Sequence, residues 1–347
     1  MHVGRAISTP AHKLTGSERS EGLSLTGTNH LIREEVVTLA ITTSQPARRR
    51  SAGGLGTLVD RLFPYWAVLP LVGVFLLLTA YPITQLFAIS LTTYNFAQGA
   101  FVPTYAGLAN YYKMLEDDIF AVALRNTLVF VVCVVTIEFI LGFGLALLMD
   151  RAGRLTDWYR TLLILPIIMP PIAIGTMWRL MYQRDFGIIN TLARGLGLPQ
   201  QSWLADPNLA LPAVMVVDVW HWTGFVFLIM AAGLQALPRE PYEAARVDGA
   251  STLQTFRYLT LPLMRSTILV AVVLRMIFAF KVFDEIFLLT TGGPGHSTEV
   301  VSVYIQKVVF KLSEVGYGAW LAVVTIAIVA VFVLVYVRLL RRGEETA

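Results

Sequence analysis

Six stretches of this chain are apolar for about twenty residues or more, the length a helix needs to cross a bilayer core of ~30 Å. They are 64–90, 127–149, 162–181, 209–234, 268–289 and 319–340, and the first and last carry almost no charge. Long runs without short alternating segments predict helices rather than barrel strands. The rest of the chain agrees. Of its 347 residues 56% are hydrophobic and only 14% charged, against roughly 25% charged in soluble domains. Such a chain lacks the surface for a soluble enzyme, a nucleic-acid binder or a disordered scaffold. The net charge of +4 fits basic loops on one membrane face. The single cysteine, Cys133, excludes an internal disulfide framework and a cysteine-built metal site.

Lysine and arginine set the orientation. With the N-terminus inside, Arg48–Arg50, Arg61, Arg151, Arg154, Arg160, Arg239, Arg246, Arg257, Arg265, Arg338, Arg341 and Arg342 face the cytoplasm. Only Lys113, Arg125, Arg184, Arg194, Lys307 and Lys311 face outward. Both termini are then cytoplasmic, and the outer loop 93–124 holds the acidic run Glu116-Asp117-Asp118. Residues 1–60 are rich in Ser, Thr, Gly and Arg and lack the apolar core of a signal peptide. Disorder is expected up to about Gly56. This segment reads either as a regulatory tail or as sequence ahead of a true start near Val36 or Val37. The spans then form one domain over 61–342, followed by a cytoplasmic tail, 343–347.

The loop between the fourth and fifth runs, 237–262, reads as two short helices. Pro241 suits a first helical turn. Gly249 suits a left-handed stop. Ser251 with Gln254 reads as a capping box, and Pro262 is expected to end the second helix. From spacing alone this is a helical hairpin, either lying on the membrane or presenting Ala244 and Ala245 for close approach by a partner. Glu243-Ala244-Ala245, then Gly249, Leu259 and Leu261-Pro262 resemble the EAA loop of ATP-binding-cassette importer permeases, with Leu259 where that family usually has Ile. The resemblance runs from about Pro64 to Arg342 and is nearest the carbohydrate branch, the maltose and glycerol-phosphate type. Phe283-Asp284-Glu285-Ile286-Phe287-Leu288-Leu289-Thr290-Thr291-Gly292-Gly293-Pro294 is similar to that branch's signature. So are Leu165-Pro166 with Pro170, and Asp185-Phe186-Gly187-Ile188-Ile189-Asn190.

The resemblance implies an all-α permease of the type I importer fold with six spans, in a bacterial cytoplasmic membrane. It implies a second, homologous permease, two ATPase subunits and an extracytoplasmic solute-binding protein as partners, with a sugar or sugar derivative as cargo. Glu243, Ala244, Ala245, Asp248, Gly249, Leu261 and Pro262 would form the ATPase-coupling surface. The chain has no Gly-x-x-x-x-Gly-Lys-Ser/Thr loop, and no HExxH, CxxC or GxSxG motif. No catalytic residue, metal or cofactor of its own is expected, and magnesium-ATP would be bound by the ATPase.

Ionisable residues inside membrane spans are costly and are functional candidates. Here they are Glu138, Arg179, Asp218, His221, Arg275, Lys281, Asp284 and Glu285. Asp218, Trp222 and Phe225 share a helix face. A carboxylate with two aromatic rings suits a sugar; a packing seam around one satisfied acid is the alternative. His221 lies off this face as a packing residue. Lys281 and Glu285, four apart, are expected to pair, and Arg275 to pair with Glu138. Asp284, Glu285 and Lys281 are also candidates for substrate contact or a gate. An ion-driven carrier would use them as a relay, and a non-sugar solute is a further alternative. Pro166, Pro170 and Pro171 predict a kink, either static or bordering a cavity. By resemblance to maltose-type permeases, sugar contacts fall at Ile167, Pro171, Asp218, Trp222, Phe225, Phe278, Ala279 and Val282. Asp218 stands where that permease has an amide, which preserves acceptor chemistry. Ile167, Pro171, Ala279 and Val282 are apolar replacements, so this chain is expected to offer few contacts of its own.

Overall fold

The computed structural model describes residues 55–97, 100–150 and 156–342. The expectations for residues 1–54 and for the tail 343–347 lie outside the described residues. The chain separates into two compact units, Met1–Val74 and Phe75–Ala347. Helix α1, Leu55–Ser90, begins in the first unit and ends in the second. Its side chains at Leu69, Leu71, Phe75 and Leu78 are exposed, as suits a helix solvated by lipid.

An antiparallel pair follows, β1 Thr92–Ala97 and β2 Ala100–Tyr105, in register from Thr92 opposite Tyr105 to Ala97 opposite Ala100. This hairpin departs from the all-helical expectation. Thr92, Thr93, Tyr94, Val102 and Tyr105 are β-branched or aromatic and suit a pleated surface. Next come α2 Ala109–Leu115, α3 Asp118–Asp150, α4 Thr156–Ile164, α5 Pro171–Met181, α6 Ile188–Gly195 and α7 Ala210–Gln235. The hairpin loop holds α8 Glu240–Val247, α9 Thr252–Thr255 and α10 Leu261–Leu263. The chain ends with α11 Arg265–Phe280, α12 Asp284–Leu289, α13 Val301–Phe310 and α14 Val315–Arg342.

Among the described residues, five helical segments are long and apolar enough to cross a membrane: Tyr65–Ser90, Asp118–Asp150, Ala210–Gln235, Arg265–Leu289 and Val315–Arg338. The third apolar run makes a sixth only as a bent pair, Trp158–Ile168 and Pro171–Met181, which meet at 99°. Its prolines explain the bend. A proline disfavours the helical conformation in the residue before it. Pro171 therefore holds Pro170 extended (φ −61°, ψ 137°), and Pro170 holds Met169 extended (φ −75°, ψ 137°). Pro171 then sits in the first turn of α5, where no amide hydrogen is needed.

The core forms around α3 and α7, the most extensive helix pair. Phe130, Val134, Val214, Val217, Ile174, Ala279, Phe280 and Ile286 fill its larger cluster. Phe143, Val226, Phe227, Met230 and Met264 fill a second, toward the hairpin loop. A third joins Phe120, Val301, Tyr304, Val308, Tyr317 and Leu321. The third cluster is pinned by Asp117. Its Oδ1 accepts from the backbone amides of Ile119 and Phe120, both at 3.0 Å, and caps α3. Its Oδ2 accepts from the hydroxyls of Tyr304 and Tyr317. Partial burial alone would raise this carboxyl, but the hydrogen bonds from Tyr304, Tyr317, Phe120 and Ile119 outweigh it and hold the group below its ordinary value.

A carboxylate held below its unfolded value stabilises the fold above that value, near pH ~3.9, and loses the contribution as pH falls through the folded value. At neutral pH, Asp117→Asn should melt below wild type. The gap between their melting temperatures should close as pH drops below about 4. Thermal melts of detergent-purified protein across pH check both.

Candidate functional site

Packing of α7 against the broken third run sets the interior. A Cβ on Gly224 would lie 2.0 Å from the carbonyl oxygen of Leu163 and 3.3 Å from Ile167 Cδ1, so only glycine lets the two segments meet here. Phe225 is the next residue. Its ring lies 5.8 Å from Trp222 and 5.8 Å from Phe278, and Trp222 lies 5.4 Å from Phe278. Three of the residues expected at a sugar site thus form one aromatic triad. Trp222 and Phe225 are half-buried, and Phe278 is exposed.

Behind the triad lies a buried ionic cluster. Arg275 on α11 bonds Glu138 on α3 through two nitrogens, with Nη2 to Oε1 at 2.8 Å, and also bonds Asp218 on α7. All three side chains are 0 or 1% exposed. The expected Arg275–Glu138 pair is present, with Asp218 added to it. His221 Nδ1 sits 3.0 Å from Glu285 Oε1, both buried. The expected Lys281–Glu285 pair is not made. The fifth run is interrupted between α11 and α12, with Lys281 (φ −96°, ψ 7°) and Phe283 (φ −137°, ψ −54°) off helical geometry. The four-residue offset therefore no longer brings the two side chains together. Lys281 and Asp284 are exposed.

The other expected positions divide. Ile167 is half-buried beside Gly224, and Pro171 is exposed at the bend. Ala279 and Val282 belong to the apolar core. Asp218 is buried and bonded by Arg275, which answers to the seam reading of that acid. Asn190 had been noted only as part of a motif. It is fully buried. Its side chain binds the carbonyl and amide of Gln201 and accepts from Trp203 Nε1 at 3.1 Å, fixing the loop 183–203. That loop, the end of α5 and the turn at 289–294 enclose a cleft of ≈ 450 Å³ with Arg179, Arg184, Tyr182 and Trp203 in its wall.

The loop between α7 and α11 folds as two short helices, as its sequence predicts. Pro241 lies in the first turn of α8, and Gly249 adopts φ +73°. Ser251 Oγ accepts from the Gln254 amide, and Gln254 Oε1 accepts from the Ser251 amide at 2.8 Å. One expectation is corrected. Pro262 does not end the second helix. A π-turn over Phe256–Thr260 precedes it, and Pro262 falls in the first turn of α10, where its missing amide hydrogen costs little. Thr260 joins the two arms. Its hydroxyl accepts from Tyr242 Oη at 3.2 Å and donates to the Thr255 carbonyl at 3.4 Å. No residue of α8 is buried, and Val247, Leu253 and Tyr258 are 88%, 73% and 69% exposed. That is an apolar surface on an otherwise polar loop.

These features define a multi-span helical membrane protein with a bent third apolar run and an exposed helical hairpin. The chain belongs to the family of binding-protein-dependent transport system inner membrane components, whose family model matches residues 138–344. It is 35% identical to the trehalose/maltose transport system permease protein MalF of Thermococcus litoralis over 79% of this chain and 92% of that one. It is 32% identical to the sulfoquinovosyl glycerol transport system permease protein SmoG of Agrobacterium fabrum, over 82% of this chain and 92% of that one. Its fold matches a bacterial ABC transporter involved in the import of the acidic polysaccharide alginate. The TM-score is 0.71 at 22% identity, over 83% of this chain and 98% of that one. The chain is therefore an ABC importer permease, a membrane transport component.

Removing one member of a buried ion cluster strands the others, at a cost of about 3–5 kcal/mol. Arg275→Ala should lower stability by roughly that amount. Glu138→Gln, Asp218→Asn and Arg275→Met combined should cost less than Arg275→Ala alone. Denaturation in matched micelles measures the order.

Proposed function

We propose that this permease carries a sugar or sugar derivative across a bacterial cytoplasmic membrane by alternating access, driven by ATPase subunits docked on the α8–α9 hairpin. The observation that carries the reading is the hairpin itself. It is locked internally by the Tyr242–Thr260 bond and the capping box, yet it shows Glu243, Ala244, Val247 and Leu253 to solvent. A rigid lever with an apolar, small-residue face suits a partner that pushes on it. Ala244, Ala245 and Gly249 allow close backbone approach, and Leu261-Pro262 leads the motion into α11.

The aromatic triad supports a sugar as cargo. Flat rings stack on the apolar faces of pyranoses, which few other small solutes share. Several relatives carry sugar names, among them the trehalose/maltose and sulfoquinovosyl glycerol permeases. In this reading Trp222, Phe225, Phe278 and Ile167 line the path, and a second, homologous permease supplies most of the remaining contacts. An extracytoplasmic binding protein delivers the ligand to the face that holds the Arg179 and Arg184 cleft, in keeping with the alginate importer's complex with its substrate-bound periplasmic protein. Both termini then face the cytoplasm. Magnesium-ATP is bound by the ATPases, not by this chain.

Affinity purification from native membranes, with mass spectrometry of the eluate, tests the reading. Wild type should bring down an ATPase and a second permease. Glu243→Lys should lose the ATPase by at least tenfold and keep the permease. A homo-oligomer free of ATPase, or equal recovery of ATPase with the variant, defeats the proposal.

A further inference from the structure

We propose that Arg275 and His221 are positioning residues whose task is to hold the Trp222 ring at the sugar path, with Asp218 acting through Arg275 and never touching the cargo. The proposal rests on reading the aromatic triad as the sugar-stacking surface. Trp222 has two close polar neighbours. The Arg275 guanidinium carbon lies 5.2 Å from its ring centre, within cation–π range. The His221 ring lies 4.9 Å away.

Each neighbour is itself fixed by buried carboxylates. Arg275 is bonded to Glu138 and Asp218 on two other helices, and its side chain is 1% exposed. His221 is bonded to Glu285, beyond the break in the fifth run. Asp218 and His221 are three residues apart on α7, one turn, and Trp222 follows directly. The halves of the interrupted fifth run, α11 and α12, are thus both tied by polar bonds to the same turn of α7. The indole sits where the two ties meet. Five ionisable side chains taken out of water are costly, and a packing seam alone would be served as well by apolar residues. What the ionic groups add is direction. A guanidinium held by three hydrogen bonds has one orientation, and so has the ring that stacks on it.

Asp218 thereby acquires a different role from the one its chemistry first suggests. Its carboxylate is 1% exposed and faces a guanidinium. Replacing Asp218 should loosen the ring before it removes any bond to a hydroxyl.

The test uses the assembled importer in lipid nanodiscs, labelled with 5-fluorotryptophan. The chain has seven tryptophans, and Trp222→Phe assigns the Trp222 fluorine signal. In wild type that signal should be single and sharp. In Asp218→Asn, and in Arg275→Lys, it should split or broaden while the other tryptophan signals of this chain stay in place. Glu285→Gln should do the same through His221 and serves as a milder variant should Arg275→Lys fail to assemble. A Trp222 signal unchanged in Asp218→Asn and Glu285→Gln overturns the proposal. Maltose and trehalose are then titrated as probes. A sugar that moves the wild-type signal should bind about tenfold more weakly to Asp218→Asn. Equal binding with a split signal overturns the link between ring order and recognition. A wild-type signal that neither sugar moves counts against the stacking reading, while the split signal still upholds the hold on the ring.

Discussion

Arg275 has no route to water. Among the described residues its guanidinium is enclosed by α3, α7 and α11 and bonds to Glu138 and Asp218. In a helix bundle surrounded by lipid, apolar faces pack against each other with little preference among neighbours, because lipid tails are as apolar as the side chains. Directional bonds between three helices remove that freedom. They tie one face of α7 to α3 and α11. Trp222 and Phe225 meet Phe278 in the aromatic triad, while Val214 and Val217 enter the core. The cluster is costly to build and intolerant of losing one member.

The second constraint is the double proline at 170–171. A continuous third span would have run past α7 as a straight rod. Two successive extended residues turn the chain by 99° instead. The short Leu165–Ile168 turn then lies against Gly224, and α5 leaves at an angle to pack on α12. The interruption between α11 and α12 does the same for the fifth run. Two of the crossing segments are therefore broken near the triad. Irregular backbone at membrane depth is tolerated only where protein or a water-filled cavity covers it.

Much of this was legible in the sequence, because run length and local signals each have a local cause. Twenty apolar residues must form a helix in lipid, and the runs at 127–149, 209–234 and 319–340 did so within a longer helix or within a residue or so. Pro241, Gly249 and the Ser251–Gln254 box act within one turn, and each is found as expected. Pro262 does not end the helix, because a π-turn five residues long precedes it and Pro262 falls in the first turn of α10. The β1–β2 hairpin was missed because strand pairing depends on a partner segment, not on either strand alone. Asp117 was visible only as part of an acidic run. Its two tyrosine partners come from about 190 and 200 residues away in sequence.

The sequence by itself determined the class of molecule, the apolar runs and the form of the hairpin loop, since these follow from hydrophobic length and from interactions within a turn. It also named Asp218, Trp222 and Phe225 as chemically suited to one site, and the family resemblance added Phe278. Which of them meet was decided by tertiary structure alone. The Lys281–Glu285 spacing was correct for a helix that the fold does not continue, and Glu285 went to His221. Asp218 was correct for a sugar's hydroxyls, yet it faces Arg275. A side chain's chemistry is fixed by its residue type, but its partner is fixed by which helix face meets which. In this bundle a few buried charges choose the face.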